Sequence, residues 1–95
     1  MTRTEILEAA NRIVCGEREE QYGTPEDSFT IIAQMWNAYL YGLGLRTGSI
    51  ELDRTDMAAM MALLKIARIS TGSGKDDNWI DLAGYAACGG ELMTG

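Results

Sequence analysis

The chain has 95 residues, a net charge of −6, two cysteines and no histidine. One domain over residues 1–95 is the expectation for that length, and the acidic balance argues against nonspecific binding to DNA or RNA backbones. Histidine-dependent catalysis is excluded outright, and with only Cys15 and Cys88 and no CxxC pair a zinc site is improbable.

Hydrophobic residues make up 46% of the sequence, a share that suits a globular fold and is too rich for disorder. So short a chain covers its apolar surface poorly, which predicts a homo-oligomer, a dimer or tetramer. No apolar run reaches the roughly 18 residues that span a bilayer. Two thiols without a signal peptide predict a reducing cytoplasm, where both act as small buried hydrophobes.

Four helices are predicted in chain order. The first starts near Thr2 or Thr4, where Thr2 and Glu5 have capping-box spacing. Ile6, Leu7, Ala10, Ile13 and Val14 recur at helical spacing, and the helix runs to about Gln21 with Gly23 as its stop. Thr24 caps the second, Pro25 suits its first position, and Glu26 and Asp27 favour its positive end. Phe29, Ile32, Ala33, Trp36, Leu40 and Leu43 form its apolar stripe, and Gly42, Gly44 and Gly48 break it.

The third helix begins near Asp53. It is apolar nearly all round, from Met57, Met60, Met61 and Leu64 on one side to Ala58, Leu63, Ile66 and Ile69 on another. Such a helix belongs in a bundle centre. A loop over Ser70–Gly74 follows. The fourth helix runs from Asp76 or Asp77 to about Met93. Gly84, Gly89 and Gly90 each cost about 0.5–1 kcal/mol relative to Ala in a helix interior, which points to close backbone approach there. The fold class is all-α, a four-helix bundle.

Three polar clusters interrupt the apolar pattern. Glu17 and Glu20, at i, i+3, share a helix face, where paired carboxylates either hold a hard cation such as Mg²⁺ or form a solvated helix end. Lys65 and Arg68 sit in a segment otherwise apolar on most sides. Bare charges there need anions, either a ligand phosphate or the chain's own aspartates. Asp77, Asp81 and Tyr85 are spaced by four on one face; a cation would relieve the repulsion between the two carboxylates, or Asp81 pairs with Lys65 or Arg68. Trp36, Tyr39, Tyr41 and Trp79 offer rings for a base or for the core, and the six methionines suit a core or subunit interface.

The runs Arg18-Glu19-Glu20-Gln21-Tyr22-Gly23-Thr24-Pro25, Asp56–Arg68 and Asp77-Asn78-Trp79-Ile80-Asp81-Leu82-Ala83-Gly84-Tyr85-Ala86-Ala87 together resemble a family of small phage and prophage proteins of unknown function. More remotely the set is similar to the all-α nucleoside triphosphate pyrophosphatases, the MazG and dUTPase-like group. That resemblance implies an oligomeric helical bundle in the host cytoplasm acting on a nucleotide. It implies Mg²⁺ held by Asp77, Asp81, Glu17 and Glu20, with Asp81 and Glu20 catalytic, and substrate contacts from Arg18, Tyr22, Lys65, Arg68 and Tyr85. The group's usual pattern is ExxE followed by ExxD on the next helix. Here Glu17-x-x-Glu20 matches the first half, and Asp53-x-x-Asp56 and Asp77-x-x-x-Asp81 only approximate the second. Three readings follow: a Mg²⁺-dependent pyrophosphatase, a protein that binds a nucleotide without turnover, and a helical interaction module whose charges are structural.

Overall fold

The computed structural model describes residues 1–44, 51–72 and 75–94, with the backbone alone at Tyr22. Gly48 and the Ser73–Gly74 part of the predicted loop lie outside the described residues. The described elements are α1 (Arg3–Arg12), a π-helical segment (Ile13–Glu17), α2 (Arg18–Tyr22), α3 (Pro25–Gly42), α4 (Arg54–Thr71) and α5 (Asp76–Thr94). All regular structure among the described residues is helical, as the sequence pattern predicts.

Side-chain caps fix three of the helix starts. The Thr2 amide donates to Glu5 Oε1 at 2.9 Å and the Glu5 amide donates to Thr2 Oγ1 at 3.1 Å, the reciprocal capping box. At Thr24 the hydroxyl oxygen accepts from the Asp27 amide at 3.4 Å, with Pro25 in the first turn. Asp53 accepts from the amides of Thr55 and Asp56 at 2.9 and 3.0 Å, and its own amide donates to Asp56 Oδ2 at 2.9 Å. Bonds from the Thr55 hydroxyl and the Asp56 amide hold the Asp53 carboxyl below its ordinary value. Asp53 and Asp56, one approximation to an ExxD pair, are thereby engaged in starting α4.

The first predicted helix is real in extent but not in register. Its middle turn, Ile13–Glu17, is π-helical, and the Arg18 amide donates to the Ile13 carbonyl. A π turn places one extra residue in the rod, which rotates everything after it relative to α1. Gly23 then ends the rod with φ of 82°, a left-handed value that glycine adopts without penalty.

α5 is the central element, packed against α4 on one side and α1 on the other, while α3 joins mainly through α4. Ala9 and Ala10 of α1 bury against Ile80 of α5, with Ile6, Ile13 and Ala83 around them. Between α3 and α4 the Asn37 amide acts as a clamp. Its Nδ2 donates to the Leu52 carbonyl at 2.8 Å, and the Leu52 amide donates to Asn37 Oδ1 at 3.0 Å.

The glycines of α5 explain the close packing. A Cβ on Gly84 would stand 2.9 Å from Val14 Cγ1, and one on Gly89 would stand 3.1 Å from the Ala58 Cβ. Gly90 meets nothing within 4 Å, so the expectation of close approach holds at two of the three positions.

Replacing Gly84 by Ala gains up to about 1 kcal/mol of helix propensity but overpacks the Val14 contact, which costs about 1–3 kcal/mol. Gly84→Ala is expected to lower stability by about 1 kcal/mol in urea unfolding. Adding Val14→Ala should then cost less than the same change in the parent chain. Strict additivity of the two changes would show that the helices do not approach closely here.

Candidate functional site

The π-helical rod, the start of α3, Met57 of α4 and the middle of α5 line a half-open cavity of about 430 Å³. That lies within the roughly 300–1,000 Å³ of pockets that hold small organic ligands. Its walls are mostly apolar, with Ile13, Val14, Phe29, Ile32 and Ile80 prominent, and its polar members are Arg18, Glu19, Ser28, Asp81 and Tyr85. The π turn matters here, because Ile13 and Val14 belong to it and Arg18 follows it directly.

Asp81 is the best-defined polar group of the wall. Its Oδ2 lies 2.9 Å from Lys65 Nζ. Lys65 is the buried charged side chain of the described residues, only 8% exposed. Leaving either charge buried without its mate is expensive, so the pair stands or falls together. Of the two anion sources open to Lys65 in the sequence, the structure supplies the chain's own aspartate. Arg68, one turn after Lys65 on α4, is exposed.

Of the other expected site residues, Arg18 and Tyr85 line the cavity. Tyr85 also packs against Phe29, with ring centroids 6.2 Å apart and a tilt of 39°. The side chain of Tyr22 lies outside the described residues. Glu17 and Glu20 are exposed on the rod, and Asp77 is exposed in the first turn of α5, none of them in the cavity wall. Mg²⁺ prefers several carboxylate or water oxygens in a strict octahedron. Among the described residues of one chain, no three carboxylate or thiol groups converge on a point that could hold such an ion, and Asp81 is engaged by Lys65. The described residues of one chain therefore do not by themselves form a cage for Mg²⁺.

Several wall residues carried no functional signal in the sequence. Phe29 reads only as part of an apolar stripe and Ser28 is not singled out, whereas Glu19 belongs to the first polar cluster without a role of its own. Cys88 also lines the cavity, and burial pushes its thiol above the ordinary value, so it behaves as an inert apolar group. Cys15 is exposed and both thiols are free. Tyr39, Tyr41 and Trp79 are exposed and Trp36 is half-buried, and none of the four lines the cavity. No described helix is long and apolar enough to cross a membrane.

Residues 5–93 match a family described as a domain of unknown function, DUF6378. The Gene 55 protein of Mycobacterium phage D29 is 39% identical over 83 residues, which cover 87% of this chain and 50% of that protein. The Gene 55 protein of Mycobacterium phage L5 is 38% identical over 81 residues, covering 85% of this chain and 47% of that one. The chain thus spans about half the length of both relatives. No solved structure matches it. With nearly its whole length inside the family match, and every helix described above within or overlapping it, the chain belongs to the DUF6378 family of unknown function and is a relative of phage proteins.

Proposed function

We propose that the chain is a helical-bundle phage protein of the host cytoplasm that binds a nucleotide-like ligand without turning it over. The cavity carries this reading: about 430 Å³, apolar on most sides, with a few polar groups at fixed places. A base or similar flat ring would sit among Ile13, Val14, Phe29 and Tyr85. Arg18 would face an anionic group, for which its planar fork is suited. Asp81 contributes little net charge to the wall, because Lys65 balances it.

A thermal-shift series separates this reading from hydrolysis. Nucleosides, cyclic nucleotides, NTPs and dNTPs are each added with EDTA and with Mg²⁺, and pyrophosphate is assayed in parallel. A ligand at about 100 times its Kd adds about 2.7 kcal/mol to the native state, which raises Tm by roughly 11–20 °C for a domain of this size. A shift that survives EDTA without pyrophosphate release is the expected result. Pyrophosphate released with Mg²⁺ and lost in Asp81→Ala would replace binding by catalysis. No shift with any compound would end both.

The Lys65–Asp81 pair favours a second reading, in which the cluster is structural and the chain is an interaction module. Here the measurement is a double-mutant cycle. Asp81→Ala should cost about 3 kcal/mol by stranding Lys65, while Lys65→Met combined with Asp81→Leu should restore most of the loss. If the doubly apolar chain recovers its stability and keeps its nucleotide-induced shift, the pair serves the fold alone and the binding proposal rests on the remaining wall. An Asp81→Ala variant as stable as the parent would remove the structural role.

A further inference from the structure

We infer that a second copy of this chain docks on the outer face of α4, helix against helix. The side of α4 that meets α5 is settled by its contacts: Ala58 faces Gly89 and Lys65 holds Asp81. The opposite side is exposed, and it is apolar. Leu63 is 64% exposed, Ile66 49% and Met60 41%, with Leu64, Ala59 and Ala67 exposed beside them. No charged side chain interrupts the row Ala59, Met60, Leu63, Ile66 and Ala67. Met60, Leu63 and Ala67 are spaced by three and then four, the seam along which two helices interlock.

The occupant follows from what the single chain fails to bury. Among the described residues the buried apolar ones are Ala9, Ala10, Ala33, Met57, Ala58, Ile80, Cys88 and Leu92, and no large side chain is fully enclosed. A core that is half alanine, beside an exposed row of Leu, Ile and Met, resembles a core cut in half, and obligate homodimer interfaces have that composition. The radius of gyration points the same way, at 14.5 Å against roughly 12 Å for a compact domain of this length.

Area and charge agree. α3 packs beside α4 and leaves Met35 and Tyr39 exposed. The α4 row by itself offers on the order of 450 Å² of surface, which suits the small end of specific interfaces, below about 600 Å² per partner. Copies carrying −6 each repel at a distance, so they associate through a face without charge, and this is such a face. A two-fold axis sets one surface against itself. The alternation of small Ala59 and Ala67 with large Met60 and Leu63 lets such a surface fit its own copy. The face lies away from α5 and the cavity, so this inference does not depend on the proposed ligand.

The test is the mass of the full chain in solution by light scattering at tens of micromolar. The parent should run at twice the 10.4 kDa of one chain or more. Leu63→Glu should halve that mass and keep its helical circular dichroism, while Asn11→Glu, on exposed α1, should leave it unchanged. Should Leu63→Glu fail to fold, a Cys15→Ser/Leu63→Cys chain decides. A short bis-maleimide should join its copies into a covalent dimer, with Cys15→Ser alone giving none. A monomeric parent, or an oligomer that neither dissociates in Leu63→Glu nor cross-links through position 63, overturns the inference.

Discussion

Lys65 is buried because Asp81 meets it, and much else follows from that one ion pair. The pair ties α4 to α5 at the level where the cavity opens. A bare ammonium at this depth would force the helices apart, since its desolvation costs several kcal/mol. With the carboxylate 2.9 Å away, α4 can carry a charge on the face it turns to α5 and still pack closely enough for Gly89 to touch Ala58. The same contact changes the chemistry of the site. A carboxylate held by an ammonium is a poor ligand for a second cation, so the acidic residue that looks most catalytic in the sequence is the one most firmly committed to the fold.

The parts of this fold that are local in sequence are legible there. Thr2 with Glu5, Thr24 with Pro25, and Asp53 with Asp56 mark helix starts by hydrogen bonds that reach two or three residues, and each start is where those residues put it. Gly84 and Gly89 betray close approach because glycine in a helix interior has a cost that packing must offset. What is not legible is what depends on distant partners. The π turn at Ile13–Glu17 holds Gly16, but one helix-interior glycine does not distinguish a π turn from close packing, and the extra residue decides which side chains of the rod face the cavity. Asn37 holds a backbone fifteen residues away. α4 reads as apolar all round, but periodicity alone does not tell which side its own chain covers.

The site was legible in part for the same reason. Arg18, Asp81 and Tyr85 stand out as polar groups against an apolar pattern, and all three reach the cavity wall. Glu17, Glu20 and Asp77 stand out equally, yet they remain on the surface. Helical spacing places residues on a face, whereas convergence across helices needs the packing. The apolar wall residues are silent for the opposite reason, because a cavity lining and a filled core use the same side chains.

Under the proposed binding role, charge narrows the class of ligand further than shape does. Glu19 is in the wall, Glu17 and Glu20 are its near neighbours on the rod, and Glu26 and Asp27 follow Pro25 at the start of α3, all of them exposed. Two unit charges 10 Å apart in water interact by about 0.4 kcal/mol, and salt at physiological strength, with a screening length of about 8 Å, removes more than half of that. Five such acids oppose each negative charge of a ligand by a fraction of a kcal/mol apiece, and the opposition scales with the ligand's charge. A cyclic or diester phosphate carries one charge per phosphate and a bare triphosphate about four, so the same acids oppose the triphosphate about four times as strongly. Under the binding proposal, a triphosphate would enter only with its charge already reduced by a cation it brings with it.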